Sequence, residues 1–209
     1  MQLPLKQKHL VFLCIIFLCS CASKYRPVNP SQIVYGTKVE KSGVDLYYRY
    51  DVMAGANNIK QTNKELKNDI KVIAVKIYNN TAQQITIGEN AKFYGEGKEL
   101  TLLTPETIKR QLQQQTPFFL GYLALLALPP ISYQKDNNTK TVEIFEGAII
   151  GGALAAGNIY VSAKANKKLK KELELNSLIK KNILPGETVY GLIALQKTGY
   201  VPLTLKLVQ

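Results

Sequence analysis

The sequence predicts a mainly β fold with an α insertion: an antiparallel β-sandwich interrupted by an apolar helical hairpin. Three observations carry this prediction. On both flanks of the chain, turn signals recur every eight to twelve residues or so between runs rich in β-branched and aromatic side chains. Between the flanks, two long stretches are apolar on every face and a third, lysine-rich, has helical spacing. The composition, 46% hydrophobic and 20% charged with nine prolines and twelve tyrosines in 209 residues, suits a globular β-rich domain better than a disordered chain or a bundle of spans. The expected organisation is a discontinuous sandwich, residues 36–104 and 182–209, enclosing a helical insertion at 105–181.

Residues 1–20 stand apart. Lys6, Lys8 and His9 form a basic start without acids, and Leu10 to Leu18 is an unbroken apolar run of nine. That length suits a signal peptide and falls short of the roughly 20 residues a spanning helix needs. Leu18-Cys19-Ser20-Cys21 follows. The three regions in this order resemble the bacterial lipoprotein precursor, whose lipobox is an aliphatic residue, two small residues and a cysteine. Cys19 is a less usual small residue at its position. The resemblance implies cleavage before Cys21, a lipid on the Cys21 thiol and acylation of the new amino terminus. Three acyl chains exceed the two signals that stable anchoring takes. The implied location is the bacterial cell envelope. Some surface-exported lipoproteins carry an acidic run after the cysteine, and its absence here favours the periplasmic face of the outer membrane.

Loss of this leader would remove Cys14, Cys19 and His9, while lipid would cap Cys21. The mature chain is then expected to hold no histidine, free thiol or disulfide. Cys/His zinc sites, Ser-His-Asp triads and Cys-His dyads are thereby excluded, and no cofactor or metal is expected. Carboxylate pairs such as Glu96 with Glu99, or Asp45 with Asp51, are left for acid–base chemistry. Glu96 and Glu99 fall at a hairpin tip, where carboxylates are ordinarily solvated. No phosphate-cradling glycine loop, Ser-x-x-Lys or Gly-x-Ser-x-Gly pattern occurs. No catalytic residue is assigned. The formal charge is +12; the leader holds two lysines and no acid, which leaves +10 on the mature chain. In an envelope that charge meets anionic head groups, lipopolysaccharide phosphates or acidic wall polymers, not nucleic acid. A basic, solvated surface is the simpler reading.

Along the mature chain, residues 21–35 contain two prolines among the first eleven after Cys21, lack periodicity and read as a tether. Val44 to Val52 reads as a strand, Asn57 to Asn68 as a polar loop with room for a helical turn, and Ile70 to Tyr78 as the clearest strand. Asn79-Asn80-Thr81 turns the chain. Strands follow at Gln84–Ile87, Ala91–Tyr94 and Glu99–Leu103, with Gly95-Glu96-Gly97-Lys98 as a hairpin tip. In the insertion, Glu106 to Gln115 reads as a polar helix, Phe118 to Leu128 as an apolar helix, Tyr133 to Thr141 as a polar loop and Ile144 to Val161 as a second apolar helix. Ser162 to Lys181 continues in helical pattern. Leu184-Pro185-Gly186-Glu187 then turns into a strand at Thr188–Leu195. Gln196-Lys197-Thr198-Gly199 turns again into Tyr200–Val208, where Val201, Leu203, Leu205 and Leu207 share a face. This last hairpin, with its Pro-Gly-Glu turn before a Gly-containing strand, resembles those of exported immunoglobulin-like domains. It implies an immunoglobulin-like sandwich.

Gly147, Gly151 and Ala155 recur every four residues, with Ala148, Gly152 and Ala156 as the neighbouring row. Such a stripe lets a partner backbone approach closely, and glycine costs up to about 1 kcal/mol in a helix unless a contact offsets it. Gly121 and Ala124 on the preceding apolar helix are the nearest candidates for that contact. The pattern resembles the glycine zipper of envelope lipoproteins of the surface-antigen type. Three arrangements fit: packing within the protein, an interface with an envelope protein or second copy, and entry into the bilayer. As helices, the apolar runs would be about 17 and 27 Å long against a hydrocarbon core of roughly 30 Å. Lys164, Lys167, Lys168, Lys170 and Lys171 form a basic helix that fits an anionic surface, although charge runs are usually solvated faces. The reading that follows is a non-enzymatic, membrane-anchored envelope lipoprotein with a structural or protein-interaction role. The alternatives are a membrane-perturbing or oligomer-forming module and a carboxylate hydrolase of wall glycans.

Overall fold

The computed structural model describes residues 21–41, 43–115, 131–135, 138–142, 145–196 and 199–208. The expected leader, and the apolar helix Phe118–Leu128 with Gly121 and Ala124, lie outside them. The elements in chain order are β1 (Thr37–Lys41), β2 (Val44–Arg49), α1 (Val52–Gly55), α2 (Ile59–Lys67), β3 (Ile70–Asn79), β4 (Ile85–Thr86), β5 (Ala91–Gly95) and β6 (Lys98–Glu99). They continue with α3 (Pro105–Leu112), β7 (Ile131–Lys135), β8 (Asn138–Val142), α4 (Phe145–Asn176), β9 (Asn182–Ile183), β10 (Thr188–Gln196) and β11 (Leu203–Leu207). The fold is mainly β, built of antiparallel sheets with a few helices.

The chain divides into two compact units, residues 25–113 with 166–209 and residues 1–24 with 114–165. The larger unit holds a four-stranded sheet in the order β1-β2-β3-β10, a three-stranded sheet β11-β5-β6, and the short pair β4-β9. Register follows alternation. Ile73, Val75 and Ile77 of β3 pair with Ile193, Gly191 and Val189 of β10, and Val75 and Ile77 pair on the other side with Tyr48 and Leu46 of β2. These side chains share one face. All but Gly191 belong to one core with Phe93 of β5 and Leu203 and Leu205 of β11. Two tyrosines join the two sheets: the Tyr50 hydroxyl donates to the Val201 carbonyl at 2.8 Å, and the Leu203 amide donates to the Tyr48 hydroxyl at 3.3 Å.

Two turns fall where the sequence expects them, each for a local reason. Glu96 and Gly97 both take positive φ, the primed geometry that matches strand twist in a two-residue hairpin. Pro185-Gly186 turns with Gly186 at φ 75°, and the Glu187 amide donates to the Leu184 carbonyl. Asn79 is a buried hub. Its Nδ2 donates to the Gln83 and Ile183 carbonyls at 2.8 and 3.0 Å, while its Oδ1 accepts from the Thr81 amide and hydroxyl. Gly191 is needed for a close approach: a Cβ there would lie 2.5 Å from the Leu178 side chain and 2.6 Å from the Asn176 carbonyl oxygen.

Several expectations change. The strand expected over Val44–Val52 ends at Arg49, and Val52 opens α1. Asn57–Asn68 is not a loop; α2 covers most of it. Its pattern is inverted, with Asn58, Gln61 and Glu65 buried and Ile59 and Leu66 exposed, so no apolar periodicity marks it. Tyr133–Thr141 is not a loop either: β7 and β8 pair as an antiparallel hairpin, Ile131 opposite Val142. The Glu99–Leu103 strand shrinks to β6, with Leu102 bridging to Leu195. The lysine-rich helix ends at Asn176, short of Lys181. The expected helix of Glu106–Gln115 is α3, entered through Thr104, whose hydroxyl caps the Thr107 amide, and through Pro105 at its first turn.

In the smaller unit, α4 is helical through Gly147, Ala148, Gly151 and Gly152. Ala155 is buried and Ala156 exposed. The Ala22 amide donates to Asn158 Oδ1 at 2.7 Å, and Gln114 exchanges two hydrogen bonds with the Ser23 backbone at 3.0 and 2.6 Å.

Candidate functional site

The segment expected to be a free tether is gripped from Tyr25 onward. Tyr25, Val28 and Pro30 are buried. Asn58 precedes α2 in the chain, and its side chain binds the Arg26 backbone at both ends instead of capping the helix. The Arg26 amide donates to Oδ1 and Nδ2 donates to the Arg26 carbonyl, each at 2.8 Å. From α4, Glu172 completes the hold: Oε1 accepts from the Tyr25 hydroxyl at 3.0 Å and Oε2 from the Val28 amide at 2.9 Å. One carboxylate thus fixes a side chain and a backbone amide that lie 147 and 144 residues away.

Beside this clamp lies a second carboxylate. Glu65 accepts from the Val72 amide at 2.7 Å. One turn earlier on α2, Gln61 is fully buried, and neither its amide nitrogen nor its carbonyl oxygen has a partner. Burial pushes both carboxyls up to about 7, outweighing the hydrogen bonds that favour the charged forms. Lys71 lowers Glu65 and Asp51 raises it, each less than burial does. The Tyr25 phenol is raised well above its usual range, first by burial and then by Glu172. Near neutral pH this cluster holds protons that its residues would not hold in water. Glu65 Oε1 and both Glu172 oxygens are hydrogen-bonded to protein amides and a phenol, an arrangement that fastens chain segments together.

The residues singled out from sequence are placed as follows. Cys21 is exposed and its thiol free. Lys164, Lys167, Lys168, Lys170 and Lys171 lie along α4, with Lys170 near Glu174 at 3.6 Å and Lys164 over the Tyr160 ring. Glu99 meets Lys92 at 3.0 Å, Asp45 lies 3.8 Å from Lys38, and Asp51 accepts from the Tyr200 hydroxyl at 2.7 Å with Lys71 at 3.9 Å. Sequence reasoning missed Glu65 and Glu172 altogether. The only local signal was a helix-length segment with no apolar face.

An open cleft of about 350 Å³ is lined by Val28, Asn29, Val34, Arg49 and Val52 among others. Among the described residues, no group of three or more Asp, Glu, His or Cys is arranged to hold a metal. Among them, too, no helix is long and apolar enough to cross a membrane. No protein-family model, curated protein or solved structure matches the chain.

Proposed function

We propose that the chain is a non-enzymatic lipoprotein of the bacterial cell envelope, lipid-anchored through Cys21 at the periplasmic face of the outer membrane. An immunoglobulin-like sandwich would serve there in a structural or protein-interaction role. The observation that carries this reading is the order of basic start, nine-residue apolar run and Leu18-Cys19-Ser20-Cys21. The clamp on residues 25–28 supports it, because an anchor at Cys21 followed by so short a link would hold the domain close to the bilayer. Mass spectrometry of the mature N-terminus from the full chain, expressed in a diderm bacterium, tests it. The expected product begins at Cys21 with three acyl chains, and Cys21→Ser should leave unprocessed precursor. A mature terminus elsewhere, without lipid, would overturn the reading.

The oligomer-forming alternative draws on the small-residue rows of α4, which run along one continuous helix. Sizing of the Cys21→Ser chain lacking residues 1–20 separates the two: a discrete oligomer favours an interface, a monomer a stripe packed within the protein. Detergent-relieved aggregation would favour bilayer entry. The wall-glycan alternative requires two carboxylates facing an open cleft, whereas Glu65 and Glu172 are buried and hydrogen-bonded to protein groups.

A further inference from the structure

We infer that the outer face of α2 rests on anionic phospholipid head groups beside the lipid anchor, a surface that deepens, and rests on, the lipoprotein reading above. Helix α2 is inverted: its polar side faces the protein, while Ile59 and Leu66 stand 64% and 63% exposed. Two turns apart, they share a stripe with Asn63. The adjoining stripe carries Lys60, Lys64 and Lys67, and none of the three makes an ion pair among the described residues. The sole acid of the helix, Glu65, is buried. Exposed apolar side chains flanked by unpaired lysines are the composition of a helix lying in a membrane interface, where the lysine stems run along the apolar layer and the ammonium groups meet phosphates. Lys64 is held below its ordinary value by partial burial and by Lys67; an anionic surface relieves the second of these.

Chain length supplies the location. Asn58, next to Ile59, grips Arg26 through two hydrogen bonds. Arg26 is five residues beyond Cys21, and an extended chain covers at most about 3.6 Å per residue, so Arg26 lies within about 18 Å of the lipidated cysteine and the start of α2 only a side-chain length further. A domain on so short a link presents this end to the head groups. The lysines of α4 fit less well, because Glu174 answers Lys170.

The test uses the full, lipidated chain in vesicles of equal parts phosphatidylglycerol and phosphatidylcholine. The mature chain holds no cysteine beyond Cys21, so Ile59→Cys, Leu66→Cys and, as a control on exposed β6, Lys98→Cys can each carry one polarity-sensitive fluorophore. All three positions lie outside the core, which the probes leave intact. The expected result is a blue shift, and quenching by nitroxide-bearing lipid, at 59 and 66 but not at 98. Both effects should be lost on K60E/K64E/K67E substitution. With the lipid on Cys21 verified by mass, probes at 59 and 66 as wet as the probe at 98 overturn this face alone. A blue shift without vesicles that grows with protein concentration assigns the face to a second copy and also overturns it. Absence of lipid on Cys21 together with no response brings down the lipoprotein reading and this face with it.

Discussion

Stability should fall as pH rises through neutrality, and the two buried carboxyls set both the sign and the size. Glu65 and Glu172 are raised from 4.5 to about 7. The folded state therefore binds their protons more tightly than the unfolded chain does. The stabilisation is complete below about pH 4.5 and is lost as pH climbs through about 7. At about 1.4 kcal/mol per pH unit, each group contributes up to about 3 kcal/mol to the difference between pH 4.5 and pH 8. Together they approach the whole stability of an ordinary domain, about 5–15 kcal/mol. The assay is urea unfolding from pH 5 to 8, followed by far-UV circular dichroism because the chain has no tryptophan. The midpoint should drop steadily with pH. Glu172→Gln and Glu65→Gln should each remove roughly half of the slope, and the double variant nearly all of it. The amide nitrogen introduced by Glu172→Gln cannot accept a hydrogen bond, so absolute stability will fall by about 1 kcal/mol; the slope is the quantity compared. The sequence has no histidine after His9 to supply a rival titration in this range. A double variant that keeps the wild-type slope, or a wild type that gains stability with pH, would refute the reasoning.

Gln61→Met should stabilise the fold by about 1–3 kcal/mol, read as a higher urea midpoint, since it removes a buried amide whose two polar atoms lack partners. Asn79→Ala should cost about 2–4 kcal/mol because four hydrogen bonds at the β3 exit end on that side chain. The neighbouring exposed Asn80→Ala should shift the same melting curve little. Gly191→Ala should cost about 1–3 kcal/mol or more, measured by thermal unfolding, since its Cβ would meet a backbone oxygen that cannot rotate away. Gly97→Ala tests a different cost: no atom lies near its Cβ, so any loss reports the positive φ alone.

The strands that carry the core were legible because alternation is a local property. β3 and β10 announce themselves through Val, Ile and Leu at period two, and Glu96-Gly97 and Pro185-Gly186 mark turns through φ angles that few residues tolerate. The β7–β8 hairpin was missed because its polar residues hid strand partners of similar polarity. Helix α2 was missed for the opposite reason. Amphipathic reading assumes that apolar side chains turn inward, and here Gln61 and Glu65 do so while Ile59 and Leu66 do not.

By itself, the sequence determined the mainly β class, most strand positions, the turn chemistry and the lipobox-like order at Cys21. Each depends on residues close together in the chain. The tertiary structure alone decided that the supposed tether is clamped, that Glu172 serves Tyr25 and Val28, and that two carboxyls sit where burial holds their protons near neutral pH. The physical reason is that the burial of a polar group depends on what surrounds it. For Glu172 those surroundings come from 144 and 147 residues away, beyond the reach of any local pattern.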